Sequence, residues 1–251
     1  MQLTLRLKWQ GSLRVKSNNR KIVITRSGSG NSKLKSLLTD FDVVEVPTIE
    51  ILPINIDKLQ KIIKDFRFTH LVFHSQNAIR IFFDEFLKYN NIEDLNRVKI
   101  YVVGKATKEA LDNYGLKSFY PKNKFTGTEL VKLISEDDYK DRVIFLPHSD
   151  LTDQKLIDSY RELGEFYELA VYKSVIPECT KLDDDFTDIT FTASSTFKNF
   201  VKMYGMDILK GKRIYSIGPV TTNVIKSSGI DIYKESEFST IESLVKAIKE
   251  S

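Results

Sequence analysis

Arg213–Gly229, RIYSIGPVTTNVIKSSG, is the stretch whose reading decides the fold. It begins with a short apolar run suited to a strand, turns at Gly218-Pro219, passes two threonines and closes a helical stretch on Gly229. Proline at the start and glycine just past the end are the usual punctuation of a helix. Such a helix start leaves backbone N–H groups free and carries a partial positive charge, which suits anions. Lys99–Gly115, KIYVVGKATKEALDNYG, has the same strand, turn and terminal glycine. Gly104, Thr107 and Gly115 each stand 114 positions before Gly218, Thr221 and Gly229.

The repetition extends outward from these turns. Phe73 and Phe82 pair with Phe191 and Phe200 at a separation of 118, and Leu130-Val131 with Leu244-Val245 at 114. Upstream of each copy lies a strand, a helix and an extended run carrying proline: KIVIT, KLKSLLTDF and VVEVPTIEILPI first, then RVIFLP, DQKLIDSYRELG and EFYELAVYKSVIP. Asn31 or Ser32 is expected to cap the first of these helices. Pro47 and Pro53 keep their run out of the middle of a sheet. Aligning RVIFLP with KIVITR places Pro147 opposite Arg26, so an equivalent basic residue is expected to be missing from the second copy. The body thus reads A–B–A′–B′, strands alternating with helices of roughly 10–15 residues, which predicts parallel sheets with helical crossovers. Either A packs with B, or the proline-bearing runs are bridges and A packs with B′; the residues alone leave both open.

A chain of 251 residues accommodates one large domain or two small ones. Its 41% hydrophobic and 29% charged residues describe an ordinary globular protein, without the roughly 18-residue apolar run of a membrane span. One cysteine, Cys179, excludes an internal disulfide framework and fits a reducing compartment. His70, His74 and His148 show no zinc-site spacing, so no metal is expected. The formal charge of +4 includes Arg6, Lys8, Arg14, Lys16 and Arg20; without those five the remainder carries −1, and nucleic acid is not an expected partner. Residues 1–20 lack a secretory core and are expected to be an extension, their acid-free composition loosely resembling a transit segment. The expected location is cytoplasmic, or organellar if that segment acts in transit.

Ile22-Val23-Ile24-Thr25-Arg26, Val72-Phe73-His74-Ser75-Gln76-Asn77-Ala78, the two Gly-x-x-Thr turns and Ala170-Val171-Tyr172 together resemble uroporphyrinogen-III synthase, in order and spacing, from about Lys21 to Ile248. The resemblance implies an α/β protein of two small flavodoxin-like parallel-sheet domains joined by a two-stranded β-ladder hinge, with a cleft between them. Residues 21–50 plus 180–251 would form domain 1 and 54–170 domain 2, with linkers at about 47–54 and 170–179. It also implies a hydro-lyase reaction of haem, sirohaem or cobalamin biosynthesis: linear hydroxymethylbilane loses its terminal hydroxyl and closes with ring D inverted. No metal or organic cofactor is implied. The implied partners are the polycarboxylate tetrapyrrole and the upstream hydroxymethylbilane-producing enzyme, with no membrane, and the implied state is a monomer.

Hydroxide departure calls for a general acid, and a substrate with eight carboxylates calls for N–H donors and cations. By its place in the family motif, Tyr172 is the candidate acid; a phenol, with pKa about 10 in water, holds its proton at neutral pH. The alternative is an aromatic side chain that merely covers a strand. Gly218, Thr221 and Thr222 are candidate substrate-binding residues, with helix capping as the alternative. Gly104 and Thr107 offer the same chemistry in the other copy. Ser75, Gln76 and Asn77 lie where a strand passes into a helix, a frequent ligand position. In B′ that role passes to Ser194, because Ala193 stands where the family has serine. Arg26 ends its strand and is a candidate carboxylate partner or a surface ion pair. His74 and His148 also end strands, but no partner is visible for either. A non-catalytic two-lobed binding or regulatory protein of the same fold is the competing reading.

Overall fold

The computed structural model describes residues 20–26 and 29–251. In chain order the elements are β1 (Lys21–Ile24), α1 (Ser29–Leu37), β2 (Asp42–Glu45), β3 (Glu50–Pro53), α2 (Ile56–Lys64), β4 (His70–Phe73) and α3 (Gln76–Phe86). Then come β5 (Lys99–Val102), α4 (Lys105–Asp112), α5 (Gly127–Ser135), β6 (Val143–Ser149), α6 (Gln154–Arg161) and β7 (Glu165–Val175). β8 (Asp188–Phe191), α7 (Ser194–Tyr204), β9 (Arg213–Ser216), α8 (Pro219–Ser227), β10 (Lys234–Glu235) and α9 (Ile241–Lys249) complete the fold. Two short 3-10 turns, Ile92–Arg97 and Asp207–Leu209, were not anticipated from sequence. Beyond β5, Phe119 makes one parallel bridge to Tyr101. Residues 1–19 of the expected extension lie outside the described residues.

Among the described residues, one compact unit holds those up to Glu50, from Arg20 on, with Ile176–Ser251, and Ile51–Val175 forms the other. In the first, five strands run in the order β10-β9-β8-β1-β2, every neighbouring pair parallel. In the second the order is β3-β7-β6-β4-β5, parallel from β7 to β5. Counted from β1 and from β6, both sheets have the 2-1-3-4 progression of a doubly wound flavodoxin-like sheet. The fold class is therefore as the sequence implied: α/β, with two parallel-dominated sheets. β2 and β3, which flank Pro47 and end on Pro53, lie at sheet edges, where a missing N–H costs least. β4 and β8 are buried along their whole length, as strands covered on both faces must be.

At the amino-terminal edge of each sheet the repeat builds a polar cluster. Asp188 is fully buried and takes Arg20 Nη2 at 2.6 Å, Arg213 Nη2 at 2.9 Å and Thr187 Oγ1 at 2.5 Å. Arg20 also donates to Tyr215 Oη at 2.7 Å and to the carbonyls of Ile248 (3.0 Å) and Ser251 (2.9 Å). In the second unit His70, 118 positions before Asp188, bonds Thr69 Oγ1 at 2.8 Å and Asp137 Oδ2 at 3.3 Å. Asp137 also takes Lys99 Nζ and Tyr101 Oη, the counterparts of Arg213 and Tyr215. Arg142 stands for Arg20 and reaches the Asp137 carbonyl.

That correspondence corrects two sequence expectations. Arg20, counted with the extension, is 7% exposed and belongs to the folded unit. β1 pairs Ile22 with Asp188, and β6 pairs Ile144 with His70, so Arg20 matches Arg142 and Arg26 matches His148, not Pro147. The residue-type likeness of KIVITR to RVIFLP is one position out of step with the hydrogen-bonding register, which is what fixes the faces of a strand. The second copy therefore has a histidine, not a proline, at the position of Arg26. A third correction concerns α1, which begins at Ser29 and so encloses Asn31 and Ser32 rather than being capped by them. Asn31 is buried with its Oδ1 unpartnered among the described residues.

Candidate functional site

Doubly wound sheets bind ligands outside the carboxyl ends of their strands, at the point where strand order reverses. In the second unit that point lies between β6 and β4, whose ends carry His148-Ser149 and His74-Ser75. Ser75 is the N-cap of α3 and accepts from Ala78 N at 3.1 Å. Its hydroxyl meets Tyr172 Oη at 2.9 Å.

A β-bulge makes that meeting possible. β7 pairs Ala170 with His148 and Tyr172 with Ser149, so Val171 is an extra residue on its strand. Regular alternation would send Val171 and Tyr172 to opposite faces. Instead both are buried in the cluster that includes Ala78 and Phe82 of α3. Bulges re-aim side chains in this way, commonly beside functional sites. On the other side of β7, the Val171 carbonyl accepts from Ile54 N, just past β3, at 2.9 Å.

His74 and His148 have the partners that the sequence did not reveal. His74 Nε2 lies 2.8 Å from Tyr160 Oη, and His148 Nε2 lies 2.6 Å from Glu168 Oε2 with Nδ1 2.7 Å from the Ser149 carbonyl. Burial, and then the nearby charge of His148, push the His74 ring down to about 4. An unfolded histidine titrates near 6.5, so between those values the unfolded chain binds the extra proton. The stability held by neutral His74 is thus complete above about pH 6.5 and is lost as pH falls towards 4, by roughly 3 kcal/mol. Urea midpoints at pH 7 and pH 4.5 should show that loss, and His74→Gln should reduce it; equal slopes would contradict the assignment.

Gln76 and Ser194 tie helix starts together instead of standing free. Gln76 Nε2 donates to the Ala106 carbonyl at 2.8 Å, and Ser194 Oγ to the Val220 carbonyl at 3.3 Å, equivalent bonds in the two units. Asn77, half-buried, makes no side-chain hydrogen bond among the described residues. Gly104 and Gly218 are the N-caps of α4 and α8. A methyl at Gly104 would sit 3.0 Å from Phe125 Cβ, and one at Gly218 would collide with Ser239 Oγ. Phe125 and Ser239 are again 114 positions apart, a spacing visible in the sequence but not read there as part of the turns. A loop packs closely over each glycine, tightest by its Phe125 Cβ at Gly104 and by the rotatable Ser239 hydroxyl at Gly218, which leaves an aromatic ring beside one turn and a hydroxyl beside the other.

In the first unit, Thr221 and Thr222 amides donate to the Gly218 carbonyl at 3.1 and 3.0 Å. Thr222 Oγ1 is engaged by Ser216 Oγ at 2.5 Å, inside the fold. Thr221 and Thr107 are buried, with no side-chain hydrogen bond among the described residues. Arg26, at the end of β1, is half-buried and has no ion pair among the described residues. Burial lowers its pKa from the ordinary value, which does not discharge a guanidinium at neutral pH. Among the described residues no cluster of three or more histidine, cysteine or acidic side chains is placed to hold a metal, and no helix is long and apolar enough to cross a membrane.

A repeated pair of doubly wound sheets, one of them interrupted by the other in the chain, with polar side chains gathered at carboxyl strand ends, defines a duplicated α/β protein. The model of one family, described as uroporphyrinogen-III synthase HemD, matches residues 32–246, and the chain belongs to that family. It is 28% identical over 250 positions to a putative uroporphyrinogen-III synthase of Methanocaldococcus jannaschii, covering 91% of this chain and 98% of that one. It is 26% identical over 224 positions to the uroporphyrinogen-III synthase of Chlorobaculum parvum, covering 83% and 88%. The crystal structure of the Helicobacter pylori uroporphyrinogen-III synthetase superposes with TM-score 0.61 at 19% identity, over 92% of this chain and 99% of that one. A mutant Thermus thermophilus uroporphyrinogen III synthase gives 0.57 at 13%, over 92% and 98%.

Proposed function

We propose that the protein cyclises hydroxymethylbilane to uroporphyrinogen III with inversion of ring D and loss of water, as a hydro-lyase. The observation that carries this reading is the family match from 32 to 246, which runs through both repeated sheets rather than through one. Tyr172 is the proposed general acid. The terminal C–O bond breaks with its electron pair going to oxygen, that oxygen takes the phenolic proton and leaves as water, and the pyrrole nitrogen stabilises the cationic carbon. Ring closure and loss of a proton from the joined carbon complete the balance. The remaining work is orientation, because a free chain closes by itself to the uninverted isomer.

In the first unit Arg26, the Gly218 turn and Thr221 are proposed carboxylate grips: a guanidinium without a partner among the described residues, a helix start and a hydroxyl with none. Thr222, Ser194 and Gln76 contribute by fixing helix starts, through the bonds described above. Gly104, Thr107 and Asn77 retain a ligand role in the second unit. Thr221→Ala is expected to weaken substrate affinity by about 1 kcal/mol. Titration with product reads this, and an unchanged affinity beside a lowered melting point would reduce Thr221 to a helix-start residue.

We also propose that the enzyme works as a cytoplasmic monomer beside the enzyme that produces hydroxymethylbilane. Its single exposed cysteine supports a reducing compartment, and a substrate that closes unaided favours hand-over. The decisive experiment incubates the full chain with hydroxymethylbilane and resolves the isomers. Uroporphyrinogen III above background is the expected product. The uninverted isomer alone, at the background rate, would favour the non-catalytic reading.

A further inference from the structure

We infer that Ser75 is a positioning residue for Tyr172, working as the donor that settles the phenolate oxygen after proton transfer, and not a direct substrate contact. The inference rests on the reading of Tyr172 as the proton donor. Three observations carry it.

The first is connectivity. Ser75 Oγ accepts from Ala78 N at 3.1 Å and lies 2.9 Å from Tyr172 Oη. A hydroxyl has one hydrogen and two lone pairs. With one lone pair held by Ala78 N–H, Ser75 can accept the tyrosine proton in the resting state or donate its own hydrogen once the phenol has lost its proton. Turning two hydroxyl hydrogens, that of Tyr172 toward the leaving oxygen and that of Ser75 toward Tyr172, is the whole rearrangement. The phenolate would then be linked through Ser75 to the amino-terminal end of α3, where the helix dipole favours negative charge.

The second is the bulge at Val171. An irregularity in the ladder is what brings Tyr172 to the α3 face, and there it is only 7% exposed. A tyrosine needed only to cover the sheet would be served by regular alternation.

The third is the internal control that the duplication supplies. α7 is the copy of α3, and each has 11 residues. Its N-cap is Ala193, 118 positions after Ser75, and no side chain caps it. The same scaffold therefore forms this helix without the serine hydroxyl. The hydroxyl is retained on the copy that faces a tyrosine.

The test is a double-mutant cycle with hydroxymethylbilane as substrate, reading kcat, KM and melting temperature for Ser75→Ala, Ser75→Thr, Tyr172→Phe and the Ser75→Ala/Tyr172→Phe pair. Ser75→Ala should lower kcat roughly tenfold with KM unchanged, and Ser75→Thr, which keeps the hydroxyl, should restore most of it. In the Tyr172→Phe background the same serine change should have almost no further effect on kcat. If Ser75→Ala costs the same factor in both backgrounds, or acts through KM, Ser75 contacts substrate and the inference is overturned while Tyr172 remains the acid. Parental turnover in Tyr172→Phe alone would remove the acid reading itself, and the inference with it. A lowered melting point with kcat intact would leave Ser75 as a helix cap only, which also overturns the inference.

Discussion

Asp188→Ala should destabilise the first unit by about 3–5 kcal/mol, the cost of removing one partner from a buried ion pair. The carboxylate is 0% exposed and answers two guanidinium groups, Arg20 and Arg213, whose side chains are 9% and 30% exposed. Without it, Arg20 would keep its bonds to Tyr215 and to the Ile248 and Ser251 backbone oxygens, but Arg213 would lose its one acidic partner among the described residues. A melting-point drop of roughly 10 °C or more is expected from calorimetry. Asp188→Asn, which keeps the shape and part of the bonding, should lie between parent and Asp188→Ala. A shift under about 2 °C for Asp188→Ala would contradict the assignment.

The same cluster has an acid limit. Burial alone would raise the Asp188 carboxyl, but bonds from Arg20, Thr187 and Arg213 outweigh it and hold it below the usual range. Asp137 behaves alike: burial opposes, and Lys99, Tyr101 and His70 prevail. A carboxyl held low in the folded state stabilises it above the unfolded value near 4, and that contribution disappears as pH falls through the folded value. Both units thus carry an acid-sensitive edge of common origin, although the first supplies its carboxylate from β8 and the second from the end of α5.

Much of this was legible in the chain because spacing survives where residue type drifts. The separations of 114 and 118 located the paired strands, turns and helices, and the prolines placed β2 and β3 at edges. What escaped has a shared physical cause: it depends on which strand lies beside which. Glu168 as the partner of His148, Tyr160 as that of His74, and Ser216 as that of Thr222 are contacts between elements, set by register and helix packing. The likeness of KIVITR to RVIFLP was real but one residue off, because apolar pattern tolerates a slip that hydrogen bonding does not. The bulge at Val171 is invisible to periodicity for the same reason: it breaks the alternation by which strands are recognised.

Tyr172→Phe should lower kcat for uroporphyrinogen III formation roughly hundredfold, within the usual contribution of a positioned acid. The ring itself packs in the cluster with Leu169, Val171 and Phe82, so phenylalanine preserves that burial. Ser75 keeps its bond from Ala78 N, and one lost hydroxyl–hydroxyl bond costs about 1 kcal/mol, too little to unfold the unit. Binding of product, measured by fluorescence titration, should therefore change little. The isomer ratio should move as well as the rate. Slow assisted loss of hydroxide gives bound substrate time to leave, and free substrate closes without inversion, so the fraction of uninverted isomer should rise. A variant that was slow but kept the parental isomer ratio at full conversion would show commitment of bound substrate without Tyr172. Parental turnover would show that the proton comes from another group, and the phenol buried beside Ser75 would then serve the fold rather than the reaction.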